Sequence, residues 1–354
     1  MNDPADDRLL LFIGTYTKRG GRGIYSARFD SATGTLTEPA LAAETANPTF
    51  LALSPNRTLL YAVSEGPELA LAYRIDRGSG ALTAVRAPGT GGPAPCHVSV
   101  DHTGRVVFVT NYHTAILAAI PAGADGALGT PHVIVHRGSS VDPVRQTSSH
   151  VHSANPSPDN RFLIVCDLGL DRIFSYALDT ATSALTPAEP ACVATRPGAG
   201  PRHFIFGPEG RHGYALNEID ATLVTYDYAA TTGRLTPRSL VSTLPVGFTG
   251  AATGAELRLH PSGRWLYASN RGHDSLALFQ VDPATGALTP IEWVAAGGCN
   301  PRHFTLTPDG AWLICCHQDS DTIGVFRIDP ASGRLSAQPG PAHVSMPVCA
   351  VFHA

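Results

Sequence analysis

Thr33-Gly34-Thr35-Leu36, Ser79-Gly80-Ala81-Leu82, Asp125-Gly126-Ala127-Leu128, Thr182-Ser183-Ala184-Leu185, Thr232-Gly233-Arg234-Leu235, Thr285-Gly286-Ala287-Leu288 and Ser332-Gly333-Arg334-Leu335 are seven copies of one turn. In each, Leu follows Gly by two residues, except that Ser183 stands for Gly in the fourth. The copies are separated by 46, 46, 57, 50, 53 and 47 residues. A period of that size, carried to the end of the chain, means one supersecondary unit repeated around an axis or along a solenoid.

A second turn recurs in phase: Ser54-Pro55-Asn56-Arg57, Asp101-His102-Thr103-Gly104-Arg105, Ser157-Pro158-Asp159-Asn160-Arg161, Gly207-Pro208-Glu209-Gly210-Arg211, His260-Pro261-Ser262-Gly263-Arg264 and Thr307-Pro308-Asp309-Gly310. Short β-rich runs flank it, such as Cys96-His97-Val98-Ser99-Val100 before and Val106-Val107-Phe108-Val109-Thr110-Asn111 after. Runs of four to seven residues bounded by turn residues, with no helical periodicity, read as strands. Four antiparallel strands per unit make a propeller blade. Only six copies of the second turn accompany seven of the first, and ring closure accounts for the difference. Pro347–Phe352 reads as a first strand with no continuation, and Leu9–Tyr16 as a second strand with no predecessor. Joined, they complete a seventh blade and leave no open edge. The expectation is an all-β, seven-bladed β-propeller, one domain over residues 1–354, closed by its two terminal strands.

Composition narrows the partners. The 354 residues carry a net charge of −4 and few charged side chains, with no basic patch suited to a polyanion; nucleic acid is not expected. Only Lys18 among the 25 basic residues is a lysine, so arginine abundance by itself signifies nothing and position must carry the argument. Seven cysteines without a CxxC pair read as buried reduced thiols rather than a disulfide framework or zinc site. No apolar run reaches the length of a membrane span. The polar, acidic segment Met1–Arg8 lacks the features of a secretory signal. A soluble cytoplasmic protein is expected; the sequence leaves its oligomeric state open.

Antiparallel pairing puts the start of strand one and the end of strand two of every blade on one face of the disc. Strand-one starts carry Asn47, His97, His150, His152, Arg202, His203, Glu256, Arg302 and His303; strand-two ends carry Glu65, Asn111, Asp167, Asn217, Glu218, Asn270, Arg271, His317 and Gln318. First strands line the channel of a propeller, so these groups converge at one mouth. His150 and His152, two apart, fall on one side of a strand; as a metal half-site the pair lacks a third ligand at matching spacing, and no metal is expected. Single members of this set can instead fix strand corners by bonding backbone. Together, several Arg, several His and a Glu exceed what corners need and point to a pocket for a small anion. Two insertions, 137–149 and 242–254, precede first strands on the same face, where loops can cover a ligand.

The motifs Asn47-Pro48-Thr49-Phe50, Pro95-Cys96-His97-Val98, His150-Val151-His152-Ser153, Gly200-Pro201-Arg202-His203-Phe204, Asn217-Glu218, Ser269-Asn270-Arg271-Gly272-His273-Asp274 and Asn300-Pro301-Arg302-His303-Phe304 resemble, in unbroken order, the bacterial seven-bladed propeller lactonase family of the 6-phosphogluconolactonase type. The resemblance implies hydrolysis of a sugar lactone without cofactor or metal. Fungal muconate cycloisomerases belong to the same family, and their site implies catalytic roles here for His152 or His150, Glu218, Arg202 and Arg271. His150, His203, Asn217, Asn270, Arg302, His303, His317 and Gln318 are expected to bind substrate. Two positions depart from the family pattern, His113 and His317, which leaves the identity of the lactone open. In the expected mechanism His152 or Glu218 is the base, Arg202 or Arg271 holds the oxyanion, and the remaining arginines hold a phosphate or carboxylate. A muconate-type cycloisomerase and a non-catalytic ligand- or protein-binding propeller are the competing readings. No Gly-x-Ser-x-Gly elbow occurs.

Overall fold

The computed structural model describes residues 8–65, 69–85, 89 and 92–353; the first seven residues, read above for a signal, lie outside them. The first blade is Pro48–Leu53, Leu59–Ser64, Leu69–Ile75 and Leu82–Val85. The second is Pro95–Val100, Val106–Asn111, Ile116–Pro121 and His132–Val135. The third is Val151–Pro156, Phe162–Asp167, Arg172–Asp179 and Ala184–Ala194, and the fourth Pro201–Phe206, His212–Asn217, Thr222–Ala229 and Arg234–Ser242. Thr253–Leu259, Trp265–Arg271, Ser275–Val281 and Leu288–Ala295 form the fifth; Pro301–Leu306, Trp312–His317, Thr322–Ile328 and Leu335–Ala337 form the sixth. The seventh joins both ends of the chain: Pro347–His353 pairs antiparallel with Leu9–Thr15, which pairs with Gly23–Asp30. The expected propeller and its closure are both present.

Second strands such as Val106–Asn111 and Phe162–Asp167 are buried along their whole length, which is why they read as continuous apolar runs rather than alternating ones. Seven apolar clusters result, one at each junction of neighbouring blades. The junction of the sixth and seventh packs Leu11, Phe29, Trp312 and Phe352, with Phe29 edge-on to both Trp312 and Phe352. The repeated turn keeps its glycine because that residue is left-handed, with φ of 74° at Gly34 and 72° at Gly333. Ser183 adopts the same conformation at φ 60°. All seven cysteines are free thiols; Cys166, Cys315, Cys316 and Cys349 are buried, whereas Cys299 is exposed. Among the described residues no helix is long and apolar enough to cross a membrane.

One irregularity repeats with the blades. Pro201 pairs with Asn217 and His203 with Leu216, so Arg202 is an extra residue in its strand. The same β-bulge isolates Thr49, Cys96, His152 and Arg302 at equivalent points of the first, second, third and sixth blades. A bulge re-aims the inserted side chain, and the site below is built from these re-aimed residues.

A chain ending at Met346 loses the strand that closes the ring and exposes Leu9–Thr15 as an edge. It is expected to lose cooperative thermal unfolding, read by circular dichroism; a melt at the full-length temperature would contradict closure by that strand.

Candidate active site at the channel mouth

Four bulge residues, Cys96, His152, Arg202 and Arg302, line a cavity of about 320 Å³ together with Tyr16, Glu65, Tyr112, His113, Arg145, Glu218 and Arg271. The cleft at the turns Pro208, Ser262, Gly263 and Pro283 on the opposite face balances Glu209 and Asp282 against Arg211 and Arg264.

Glu218 is the centre of the cavity's polar network and is buried. Its Oε2 accepts from Arg202 Nη1 and stands 3.0 Å from Arg271 Nη2 and 3.9 Å from His152 Nε2; its Oε1 accepts from Arg145 Nη2. Burial pushes this carboxyl up, but Arg271, Arg202, His152 and Arg145 outweigh it and hold Glu218 well below the usual carboxylate range. Three guanidinium groups therefore compensate one buried carboxylate. Arg202 is fixed further by donating from Nε to Ala255 O at 2.7 Å, and Arg271 by donating to Gly254 O at 3.1 Å. Burial brings Arg271 down to about 10, which leaves it charged at neutral pH.

Arg202 Nη1 lies 2.7 Å from His152 Nε2. Guanidinium cannot accept a hydrogen bond, so Nε2 is the bare nitrogen and Nδ1 carries the ring proton. Burial, then Arg202 and His203, keep this imidazole well below the ordinary histidine range. His152 is thus neutral, with its lone pair turned to the cavity.

On the other side Glu65 Oε1 accepts from Tyr16 Oη at 3.1 Å and Thr49 Oγ1 at 3.0 Å. Arg302 lies over the Tyr16 ring at 5.5 Å and makes no hydrogen bond among the described residues. Four arginines face two carboxylates around the cavity, an excess of positive charge that favours an anionic ligand.

The insertion 137–149 delivers Arg145. His136 Nδ1, at 2.8 Å, and Ser149 Oγ, at 2.5 Å, both donate to Asp167 Oδ2, which ties the two ends of the loop to one buried carboxylate. Gln146, fully buried, donates to Leu168 O at 2.8 Å. A Cβ at Gly169 would meet Ser148 O at 1.9 Å, so only glycine permits this approach. Arg145 is then aimed at Glu218 and, at 3.3 Å, at Tyr112 Oη. The insertion 242–254 reaches the site through Gly254, whose N–H donates to Glu218 O at 2.9 Å and whose O accepts from Arg271.

Of the residues expected from sequence, the structure brings His152, Glu218, Arg202, Arg271 and Arg302 together. Seven expected substrate contacts lie elsewhere. Asn217, Asn270 and His317 end second strands and bond the hydroxyls of Thr222, Ser275 and Thr322 that open third strands; these are corner bonds. Gln318 donates to Asp319 at 3.1 Å. His150 is not on the same strand side as His152: it precedes the strand, stacks on Tyr112 at 4.3 Å and bonds Tyr112 O at 2.9 Å. His203 and His303 sit one tier deeper, against Glu256, because each follows a bulged arginine and points the other way. Among the described residues no group of three or more His, Cys, Asp or Glu is arranged to hold a metal ion. Of the two departures, His113 lines the cavity and His317 does not. Tyr16, Tyr112 and Arg145 went unrecognised in the sequence; Glu65 was placed at the mouth but given no role.

The family profile described as "Lactonase, 7-bladed beta-propeller" matches residues 10–352. The chain is 36% identical over 344 residues to the 6-phosphogluconolactonase of Bacillus subtilis, covering 96% of this chain and 97% of that one. It is 30% identical to the 6-phosphogluconolactonase of Formosa agariphila, covering 84% and 86%. The solved structure of a periplasmic gluconolactonase from Pseudomonas aeruginosa superposes with a TM-score of 0.93 at 36% identity, covering 98% of this chain and 99% of that one.

The buried site has a pH signature. Burial first, with neighbouring cations, lowers His97, His152 and His203, and brings His303 to about 3; Glu218 and Glu256 are lowered by their cationic neighbours against the pull of burial. In every case the unfolded chain binds the proton first as pH falls, from about 6.5 for the histidines, so stability drops on acidification. The melting temperature is expected to be highest near neutral pH and to fall steadily between about pH 6.5 and pH 4. A flat profile there, by calorimetry, would show that these groups are not held as described.

Proposed function

The chain belongs to the seven-bladed β-propeller lactonase family, and on that premise we propose that it hydrolyses a sugar lactone, 6-phospho-D-glucono-1,5-lactone being the favoured substrate. The observation that supports this most directly is the neutral His152 Nε2 beside the Glu218–arginine cluster, in one anion-favouring cavity.

Lactone opening needs a deprotonated water, a site for the carbonyl oxyanion and a proton for the departing alkoxide. Glu218 is a weak base, since both its oxygens are engaged and its proton affinity is depressed. We assign the base to His152. When the lactone carbonyl takes over Arg202, the cation leaves Nε2, and Nε2 accepts a proton from water. The imidazolium so formed is stabilised by Glu218, 3.9 Å away. The hydroxide oxygen bonds the carbonyl carbon, and the electron pair moves to an oxyanion held by Arg202 and Arg271, where fixed charge acts on the transition state. Collapse breaks the ring C–O bond, and His152 returns its proton to the alkoxide. The products are a free hydroxyl and a carboxylic acid, which loses its proton to solvent and leaves as the carboxylate. Arg302 and Arg145 would hold the phosphate, as guanidinium forks suit such anions, with Glu65 accepting from sugar hydroxyls.

His152→Ala is expected to lower kcat by about 10²–10⁴-fold, and Arg271→Ala by about 10²–10³-fold, in assays corrected for spontaneous opening. Wild-type kcat in a folded His152→Ala protein would remove the base. Arg145→Ala should raise KM for the phosphorylated lactone about tenfold or more, one cationic contact being worth at least ~1.4 kcal/mol, and by clearly less for unphosphorylated gluconolactone. Equal effects on both would remove Arg145 from phosphate recognition.

A further inference from the structure

Beneath the cavity lies a second tier of ionisable groups that the mechanism above does not use. Glu256 is fully buried, and its Oε1 accepts from His203 Nδ1 at 3.2 Å, Arg258 Nη1 at 3.1 Å and Leu257 N at 2.9 Å. His303 Nε2 stands 3.3 Å from Oε2. Ala350 N donates to His303 Nδ1 at 3.2 Å, and Arg258 Nη2 lies 3.1 Å from His303 Nε2.

The tier fixes proton positions. His203 donates from Nδ1 to Glu256, so its Nε2 is a bare acceptor, and that atom is buried without a partner. His152 carries its proton on Nδ1, as Arg202 requires, and that donor is likewise buried without a partner. The two rings are in contact, with centroids 5.2 Å apart and planes at 62°. The His97 ring stands 5.6 Å from His203, and its Nδ1 is a third buried nitrogen without a partner. An orphaned buried polar atom costs about 1–3 kcal/mol. A donor, an acceptor and a third nitrogen on touching rings offer the two to four polar contacts that a buried water needs.

We propose that His203, oriented by Glu256, is the positioning residue for His152, accepting the His152 Nδ1 proton through one buried water shared with His97. The arrangement holds His152 in the tautomer that presents Nε2 to the cavity. When Nε2 gains a proton during lactone opening, the Nδ1 proton stays in place, and the positive charge is shared along the line His152–water–His203 toward the Glu256 carboxylate. This rests on His152 being the base.

Ring ¹⁵N NMR and kinetics test it together. In the wild-type protein His152 and His203 are both expected as Nδ1–H tautomers; an Nε2–H signal for His152 overturns the proposal without any variant. His203→Phe should turn His152 into a tautomer mixture and lower kcat about tenfold to a hundredfold, as loss of an orienting partner does elsewhere, with KM within about twofold. His203→Gln, which keeps an acceptor, should recover most of that loss. A folded His203→Phe protein with wild-type kcat and an unchanged His152 signal, or a His203→Gln protein as slow as His203→Phe, overturns it. If His152→Ala keeps full activity, the catalytic reading fails while the tautomer result still decides the orientation.

Discussion

A buried carboxylate has to be compensated where it stands, and Glu218 sets that requirement for the mouth of this propeller. An isolated ion there would cost several kcal/mol or simply take up a proton. Arg202, Arg271 and Arg145 meet the requirement, and each comes from a different part of the ring: the first strand of the fourth blade, the end of a second strand in the fifth, and the insertion before the third. The site can therefore form only when the blades are correctly assembled. Its charge follows from the same fact, because three guanidinium groups on one carboxylate, with Arg302 added, leave positive charge to spare for a ligand.

The backbone device behind this is the bulge in each first strand. Regular alternation would send neighbouring side chains to opposite faces of a blade. One inserted residue breaks that rule at the rim and turns His152, Arg202 and Arg302 into the cavity, while the next residue in two of these blades, His203 or His303, turns inward toward Glu256. Two tiers arise from a single irregularity: an upper one open to ligand and a lower one sealed among apolar neighbours such as Phe50, which contacts His97, His203 and His303.

The blade count and closure were legible because turns are local: a left-handed residue at Gly34 or Gly333 and a Pro-containing bend announce themselves in a few residues. His152, Arg202, Glu218, Arg271 and Arg302 were legible because topology alone assigns strand starts and ends to a face. Depth was not. Asn217, Asn270 and His317 look like site residues in sequence, yet each bonds a hydroxyl five positions on, a pairing that depends on the corner's actual path. His150 was misplaced because strand periodicity was applied across a residue outside the strand. Arg145 lay in an insertion whose course depends on the buried anchor Asp167, and Tyr16 reaches the cavity only once the terminal strands have closed the ring.

The central claim is that the Glu218-centred cavity opens a sugar lactone. The most direct measurement is the hydrolysis rate of freshly prepared 6-phospho-D-glucono-1,5-lactone with and without the wild-type protein, beside unphosphorylated gluconolactone under the same conditions. The account predicts opening well above the spontaneous rate, saturating with substrate, and a higher kcat/KM for the phosphorylated lactone. Rates equal to spontaneous opening for both lactones would contradict it.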